Sequence, residues 1–319
     1  MGRRSYLTVV CPRCGNVGSL TYRKGLGFYV NHGTATSHKI DNDVSLEVVG
    51  GDDLTFFHYA GGDSDLVPYY LKMIPPHVTY VEVFGGSAKL LLSKPPSKVE
   101  VYNDIDGNLV NLFRVVKDGE KFRRFLSELD MTIYSRRVFY EMNRKLRAGI
   151  QDDVERAVAY FYVICASFFG KIGAGFAVSK VKNSATVFHN KVATLRRIHK
   201  RLRNVVVEDL DFRECIKRYD SEKTFFYLDP PHLYTGTEKG KDYYGVGFTD
   251  NDYMDLLNLL EKVEGKFLLK QAGSVQYVVE WADRNGFKVR TLKLSKAMEK
   301  LEGEERSRWV VHLIANYRI

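Results

Sequence analysis

Residues 225–238 read FFYLDPPHLYTGTE, four apolar residues running into an aspartate, two prolines and a histidine. The apolar run has the composition of a buried strand. Aspartate and tandem prolines end it abruptly, because a proline has no N–H for a sheet ladder and restricts the residue before it. A strand that stops this way holds its next residues in a fixed turn, and Asp229, Pro230, Pro231 and His232 are the residues so held.

Working outward, short β-branched or aromatic runs recur on both sides: TYVEVF (79–84), KVEVYND (98–104), NVVVED (204–209), TFFYLD (224–229), GKFLLKQ (265–271), FKVRTLKL (287–294) and RWVVHLIANY (308–317). Between them lie amphipathic segments such as DGNLVNLFRVVK (106–117) and DNDYMDLLNLLEKV (250–263). This alternation predicts an α/β fold, a mostly parallel Rossmann-like sheet with helices on both faces. One interval departs from it. Residues 118–203 read as successive helices, including 134–149, 152–169 and 190–204, too long for a crossover and best taken as a helical insertion. Residues 51–117 and 204–319 then form the sheet domain. Residues 1–50, rich in small polar residues, form a small appended module.

Length and composition bound the function. A chain of 319 residues, 45% hydrophobic and 27% charged, can bury a substantial core. No apolar run approaches the roughly 20 residues of a membrane span, and the N-terminus lacks the apolar core of a secretory signal. Four scattered cysteines do not make a disulfide framework, so a cytoplasmic location is expected. The net charge of +9 is concentrated: residues 156–207 contain ten Lys or Arg and no Asp or Glu. Such a stretch is either a solvated face or a phosphate-contacting surface. On a helix, NKVATLRRIHKRLRN (190–204) sets Val192, Leu195, Ile198 and Leu202 along one side. Arg196, Arg197, Lys200 and Arg201 lie elsewhere and are the expected grip on a nucleic-acid backbone, with Lys171 and Lys180 in the glycine-rich loop FFGKIGAGFAVSK (168–180) and Lys182 just after it.

After TYVEVF comes GGSAKLLL, a glycine pair opening a helix. Such a turn allows close approach of a ligand to backbone, although the G-x-G-x-x-G pattern of dinucleotide sites is absent. Asp104 follows Gly85 by 19 positions, the spacing at which a carboxylate meets ribose hydroxyls. Alternatively the aspartates of YNDID cap the next helix.

CPRC with His32 and His38 gives C-x2-C-x17-H-x5-H, so Cys11, Cys14, His32 and His38 supply the four ligands of a structural zinc site. The 17-residue interval exceeds the usual finger spacing of about 12. A metal-free knuckle and a redox or incidental cysteine pair are the alternatives. Cys165 and Cys215 read as core.

With the glycine turn, the acid after the second strand and LDPPH in one chain, the sequence resembles the Dam-like DNA adenine-specific (N6) methyltransferases over about residues 55–317. FHYAGGDSDLVPYYLKMIP (57–75) is similar to their first segment, YVEVFGGSAKLLLSKP (80–95) to their S-adenosylmethionine loop, VEDLDFRECI (207–216) to their adenosine-contacting strand end, and FFYLDPPHLY to their Asp-Pro-Pro-Tyr motif. The resemblance implies cofactor binding by Tyr59, Gly61 and Gly62, by Glu82, Phe84, Gly85, Gly86 and Ser87, and by Asp104, Asp211, Phe212 and Asp229. It implies methylation of a flipped adenine in double-stranded DNA and a cognate restriction endonuclease as partner. The sequence departs from the family at His232, usually Tyr or Phe, at Asp63, usually Lys, and at Ala88, often Gly. Methylation of cytosine N4 or of adenine in RNA, and a non-catalytic nucleic-acid-binding role, are the other readings.

Overall fold

The computed structural model describes residues 8–10, 17–23, 27–31, 37–40, 48–50, 54–57, 66–170, 172–231, 248–273, 276–295 and 308–319. These divide into two units. The first comprises Met1–Ile74, Gly86–Pro96 and Gly107–Val207, and the second Pro75–Gly85, Ser97–Asp106 and Glu208–Ile319.

In the first unit, β1 (Thr8–Val10), β2 (Val17–Arg23), β3 (Gly27–Asn31), β4 (Ser37–Ile40) and β5 (Val48–Gly50) form an antiparallel sheet in the order β4-β3-β2-β1-β5. From sequence these residues read only as a small appended Cys/His module of zinc-ribbon or finger-like type, because apolar periodicity is short here. Their Val, Thr, Tyr and Phe content nevertheless suits a pleated surface.

The same unit contains α1 (Val67–Met73), α2 (Lys89–Ser93) and five longer helices: α3 (Gly107–Lys117), α4 (Gly119–Asp130), α5 (Arg136–Ala148), α6 (Asp153–Ala166) and α7 (Ser184–Leu202). Helix α6 is apolar nearly all round and buried along most of its length, the pattern of a core helix. Phe56 packs on Phe113 of α3 at 5.1 Å and on Phe161 of α6 at 5.9 Å between ring centroids. Asp118 and Asp152 cap α4 and α6 by accepting backbone N–H bonds, which satisfies donors that a helix start leaves unpaired. Helix α7 begins six residues before the predicted 190, capped by Asn183, and buries Val192, Leu195, Ile198 and Leu202 as their spacing predicts.

All seven strands predicted from the alternation are present. They are β6 (Thr79–Glu82), β7 (Val99–Asn103), β8 (Val205–Glu208), β9 (Thr224–Leu228), β10 (Lys266–Ala272), β11 (Lys288–Ser295) and β12 (Arg308–Ala315), in the order β11-β12-β10-β9-β6-β7-β8. Parallel register runs through Val101↔Val81, Val81↔Phe226 and Leu228↔Leu269. β12 is antiparallel to both β10 and β11. The central strand β9 is buried at every position, which is why it reads as an unbroken apolar run rather than an alternating one.

In the second unit, one face of this sheet carries Val81, Val101, Phe226, Leu228, Phe267, Leu269 and Ile314. It packs against α8 (Phe212–Tyr219), α9 (Asp250–Leu260) and α10 (Gln276–Arg284) through Ile216, Leu256, Leu257, Val278 and Trp281. Among the described residues no helix is long and apolar enough to cross a membrane.

Candidate active site

The carboxyl ends of β6, β7 and β8 are tied together by one side chain. Asn103, 1% exposed at the end of β7, donates from Nδ2 to Val83 O at 2.9 Å and Leu210 O at 3.1 Å, while its Oδ1 accepts from Leu210 N at 2.9 Å. The sequence reading passed over Asn103 in favour of its acidic neighbour. The signal available was an amide ending a short β-branched and aromatic run, at a strand end where a buried polar group has to be fully hydrogen-bonded.

Gly85 follows β6, and its N donates to Asn103 O at 2.8 Å. A Cβ at this position would lie 2.2 Å from Cε2 of the buried Tyr102 ring, so only glycine permits this approach. Gly86 and Ser87 continue the chain into α2. Gly86 has φ +50° and Ala88, at the N-cap of α2, has φ +53°. Position 88 thus requires a left-handed backbone, which an alanine adopts at a cost of about 1–2 kcal/mol.

Asp104 is half-buried at the end of β7, and its Oδ1 accepts from Asp106 N at 2.9 Å. Asp211 sits at the N-cap of α8, where Oδ1 accepts from Arg213 N at 2.8 Å. Arg213 also pairs with Asp211, Asp252 and Asp255. Asp252 foremost raises the guanidinium pKa further above its ordinary value. Glu82 is buried and accepts from Tyr80 OH at 2.9 Å. Phe84 is half-buried and meets Phe212 at 5.7 Å and Phe248 at 5.7 Å between centroids. Phe212 is buried and carries Arg213 over its face at 4.3 Å, so Phe84 is the more accessible ring of the pair.

Beyond the last residue of β9 stands Asp229, its side chain 27% exposed, followed by buried Pro230 and half-buried Pro231. Lys270 of β10 donates to Asp229 Oδ2 at 2.9 Å. On the next position of β10, Gln271 accepts from the hydroxyl of Tyr253 in α9. Burial pushes the Tyr253 phenol well above its usual pKa, and the nearby charges of Tyr277 and Asp229 push the same way.

Phe84, Gly85, Asp104, Asp211, Phe212 and Asp229 therefore all lie at the carboxyl ends of parallel strands in the second unit, where open α/β sheets bind ligands. Tyr59, Gly61, Gly62, Asp63 and His232 lie outside the described residues. The donor set fits S-adenosylmethionine. Asp104 offers an acceptor for ribose hydroxyls, Phe84 an apolar face for adenine, and the Gly85 backbone an approach free of a side chain.

In the first unit, Arg196, Arg197 and Lys200 are exposed on α7, and Lys180 and Lys182 on the segment before it. Arg201 does not share that face: it is half-buried and its Nη2 donates to Leu91 O at 2.7 Å. Lys171 lies outside the described residues. The glycine-rich loop is closed at its base by a bridge between Ser167 and Phe176 and by Ala177 N to Ala166 O at 2.7 Å. A cavity of about 370 Å³ lies between this loop and α5, lined by Tyr140, Asn143, Arg144, Arg147 and Gly173–Gly175. The exposed Tyr140, Arg144 and Arg147 were not singled out from sequence, since α5 lies outside the acid-free stretch.

Burial raises the Cys165 and Cys215 thiols to about 11 and about 12, which keeps both protonated; Cys215 lies in the core and Cys165 is half-buried. Cys11, Cys14 and His32 lie outside the described residues. His38 belongs to β4, its backbone paired with Val30. Among the described residues no group of three or more His, Cys, Asp or Glu is placed to hold a metal ion.

Residues 59–298 match the family model of D12 class N6 adenine-specific DNA methyltransferases, and the chain belongs to that family. It is 24% identical over 267 residues to the type II methyltransferase M1.LlaDCHI of Lactococcus lactis subsp. cremoris, covering 78% of this chain and 92% of that one. It is 24% identical over 261 residues to the modification methylase LlaI of Lactococcus lactis subsp. lactis, covering 74% and 40%. With the type II methyltransferase M.CviBI of Paramecium bursaria Chlorella virus NC1A it shares 22% identity over 235 residues, covering 70% and 85%. The chain is an S-adenosylmethionine-dependent DNA methyltransferase of the adenine N6 class.

Proposed function

We propose that Asp229 and the carbonyl of Pro230 are the acceptors that activate the adenine amino group. The observation that carries this reading is the position of Asp229-Pro230-Pro231 directly past the central strand β9. The lone pair of an exocyclic amine is delocalised into the base. Two acceptors fixed by a rigid turn take its two hydrogens and draw the nitrogen out of conjugation. S-adenosylmethionine, when bound, supplies the methyl group on a sulfonium. The nitrogen lone pair would take that methyl group as its C–S bond breaks to leave the neutral thioether, and the amino proton held by Asp229 would be lost to solvent. Asp104 would hold the ribose and Phe84 the cofactor's adenine, with Gly85 leaving room. His232 supplies a planar ring for stacking on the target base.

The target lies in double-stranded DNA in this reading, and the base is flipped out at a cost of a few kcal/mol. Phosphate contacts from Arg196, Arg197, Lys200, Lys180 and Lys182, and from Arg144 and Arg147 beside Tyr140, offset that cost. A restriction endonuclease as partner and a cytoplasmic setting belong to the same reading. Residues 1–50 are a separate module, 51–117 with 204–319 the catalytic domain, and 118–203 the target-recognition insertion. Zinc on Cys11, Cys14, His32 and His38 rests on ligand type and spacing, and metal analysis of untagged protein tests it at about one zinc per chain.

Incubation with duplex DNA and methyl-labelled S-adenosylmethionine, followed by digestion to nucleosides, tests the catalytic assignment. N6-methyladenine that disappears in Asp229→Ala is the expected result. Label in N4-methylcytosine, or an unimpaired Asp229→Ala, would overturn it.

A further inference from the structure

The least expected polar side chain of the second unit is Lys270. It occupies the interior of β10, is 1% exposed, and lies opposite Leu313 of β12. Parallel pairing of Leu269 with Leu228 brings it beside Asp229, the first residue past β9. An ammonium in such a place is costly to desolvate unless it is well paired. Leu268, two positions back on β10, and Leu313, opposite on β12, are both buried and apolar. Buried ion pairs contribute little net stability relative to apolar residues of similar volume, so stability does not account for this lysine.

Its partner accounts for it better. We propose that Lys270 is a positioning residue of the methyl-transfer site, its ammonium holding Oδ2 of Asp229 so that Oδ1 is presented to the adenine amino group. This rests on the assignment of Asp229 made above. A carboxylate rotates about its Cβ–Cγ bond, and its two oxygens are otherwise equivalent. A charge-assisted bond of 2.9 Å to one of them fixes the plane of the group. The donor is set in the sheet rather than on a loop, which holds the acceptor in place before substrate arrives. The neighbouring bond from Tyr253 to Gln271 secures the adjacent position of the same strand against α9.

Lys270 touches neither reacting atom in this scheme, so its removal acts on turnover through Asp229. Lys270→Met keeps the length and apolar stem of the side chain. Its kcat should fall about 10- to 100-fold, the range expected when a charge-assisted hydrogen bond is lost from a site. KM for S-adenosylmethionine and for duplex DNA should stay within about threefold of wild type if only the acceptor's geometry has changed. In an Asp229→Asn background the same substitution should bring no further loss in single-turnover rate, because the group it positions is already gone.

Wild type and Asp229→Ala are assayed alongside. An active wild type, an inactive Asp229→Ala and a Lys270→Met with undiminished kcat would overturn the role of Lys270 and leave Asp229 standing. Additive losses in the double mutant, or a rise in KM with kcat unchanged, would do the same. A wild type that transfers no methyl group, or a fully active Asp229→Ala, would overturn both. Should Lys270→Met not fold, Lys270→Gln retains a neutral donor at the same position. A smaller fall in its kcat is expected, and an unchanged one overturns the proposal.

Discussion

Asn103 and Leu210 lie 107 residues apart in the chain and exchange two hydrogen bonds, side-chain amide to backbone carbonyl and backbone amide to side-chain carbonyl. A third bond, to Val83 O, makes Asn103 the common fastening of three strand ends. Replacing it by alanine leaves buried backbone groups without partners, each worth about 1–3 kcal/mol. Asn103→Ala should therefore lose about 2–4 kcal/mol of unfolding free energy in urea titration. It should also weaken S-adenosylmethionine binding, because Gly85 and Asp104 hang on the strands it joins. A loss below about 0.5 kcal/mol, the size of an ordinary surface substitution, would show that the strand ends hold without it.

Gly85→Ala probes the same corner by addition rather than removal. The new methyl would lie 2.2 Å from Cε2 of Tyr102 and 2.9 Å from Asn103 O. Tyr102 is fully buried and its ring cannot swing clear, so the backbone must shift. Overpacking of this kind costs typically about 1–3 kcal/mol. Calorimetric titration should show weaker cofactor binding together with a lowered Tm. Unchanged values of both would mean that the turn has slack.

For Asp229 the expected effect is on rate. Asp229→Ala should keep the fold and bind S-adenosylmethionine with near-normal affinity, yet lose methyl transfer by about two orders of magnitude or more, as when a preorganised transition-state contact is removed. Stopped assays over a range of substrate concentrations check this. Turnover within tenfold of wild type would remove Asp229 from the chemistry.

Legibility from sequence followed physical type. The seven strands of the main sheet announced themselves as short β-branched or aromatic runs between helical patterns, and β9, buried at every position, as an unbroken apolar run whose Asp-Pro-Pro terminus cannot continue a ladder. The buried stripe of α7 was equally plain from its period. The small sheet of residues 8–50 was not, since short strands of mixed polarity carry little periodic signal. Among site residues, Gly85 and Asp229 were marked by local chemistry, glycine before a helix and aspartate before prolines. Asn103 and Lys270 were hidden because their roles are non-local: each bonds residues just past the end of another strand, which the local pattern does not show. Arg201 shows the converse. Its charge placed it with Arg196 and Arg197, but the helix turns it toward Leu91 O.

That difference separates two tests of the basic surface. Arg196, Arg197 and Lys200 are exposed on α7, and Arg144 and Arg147 line the cavity beside Tyr140 and the glycine-rich loop. Each phosphate contact releases counterions, so losing one should flatten the slope of log K against log salt by about one unit. Glutamine at 196, 197 and 200 together should lower affinity for duplex DNA and reduce that slope by up to about three units. Arg144→Gln with Arg147→Gln should reduce it by up to about two. Arg201→Gln should behave otherwise, lowering Tm while the slope of the folded protein stays put, since its guanidinium is spent on a backbone carbonyl. A slope unmoved by either exposed set would make those faces merely solvated. A slope flattened by Arg201→Gln would mean that the arginine leaves Leu91 to meet the DNA.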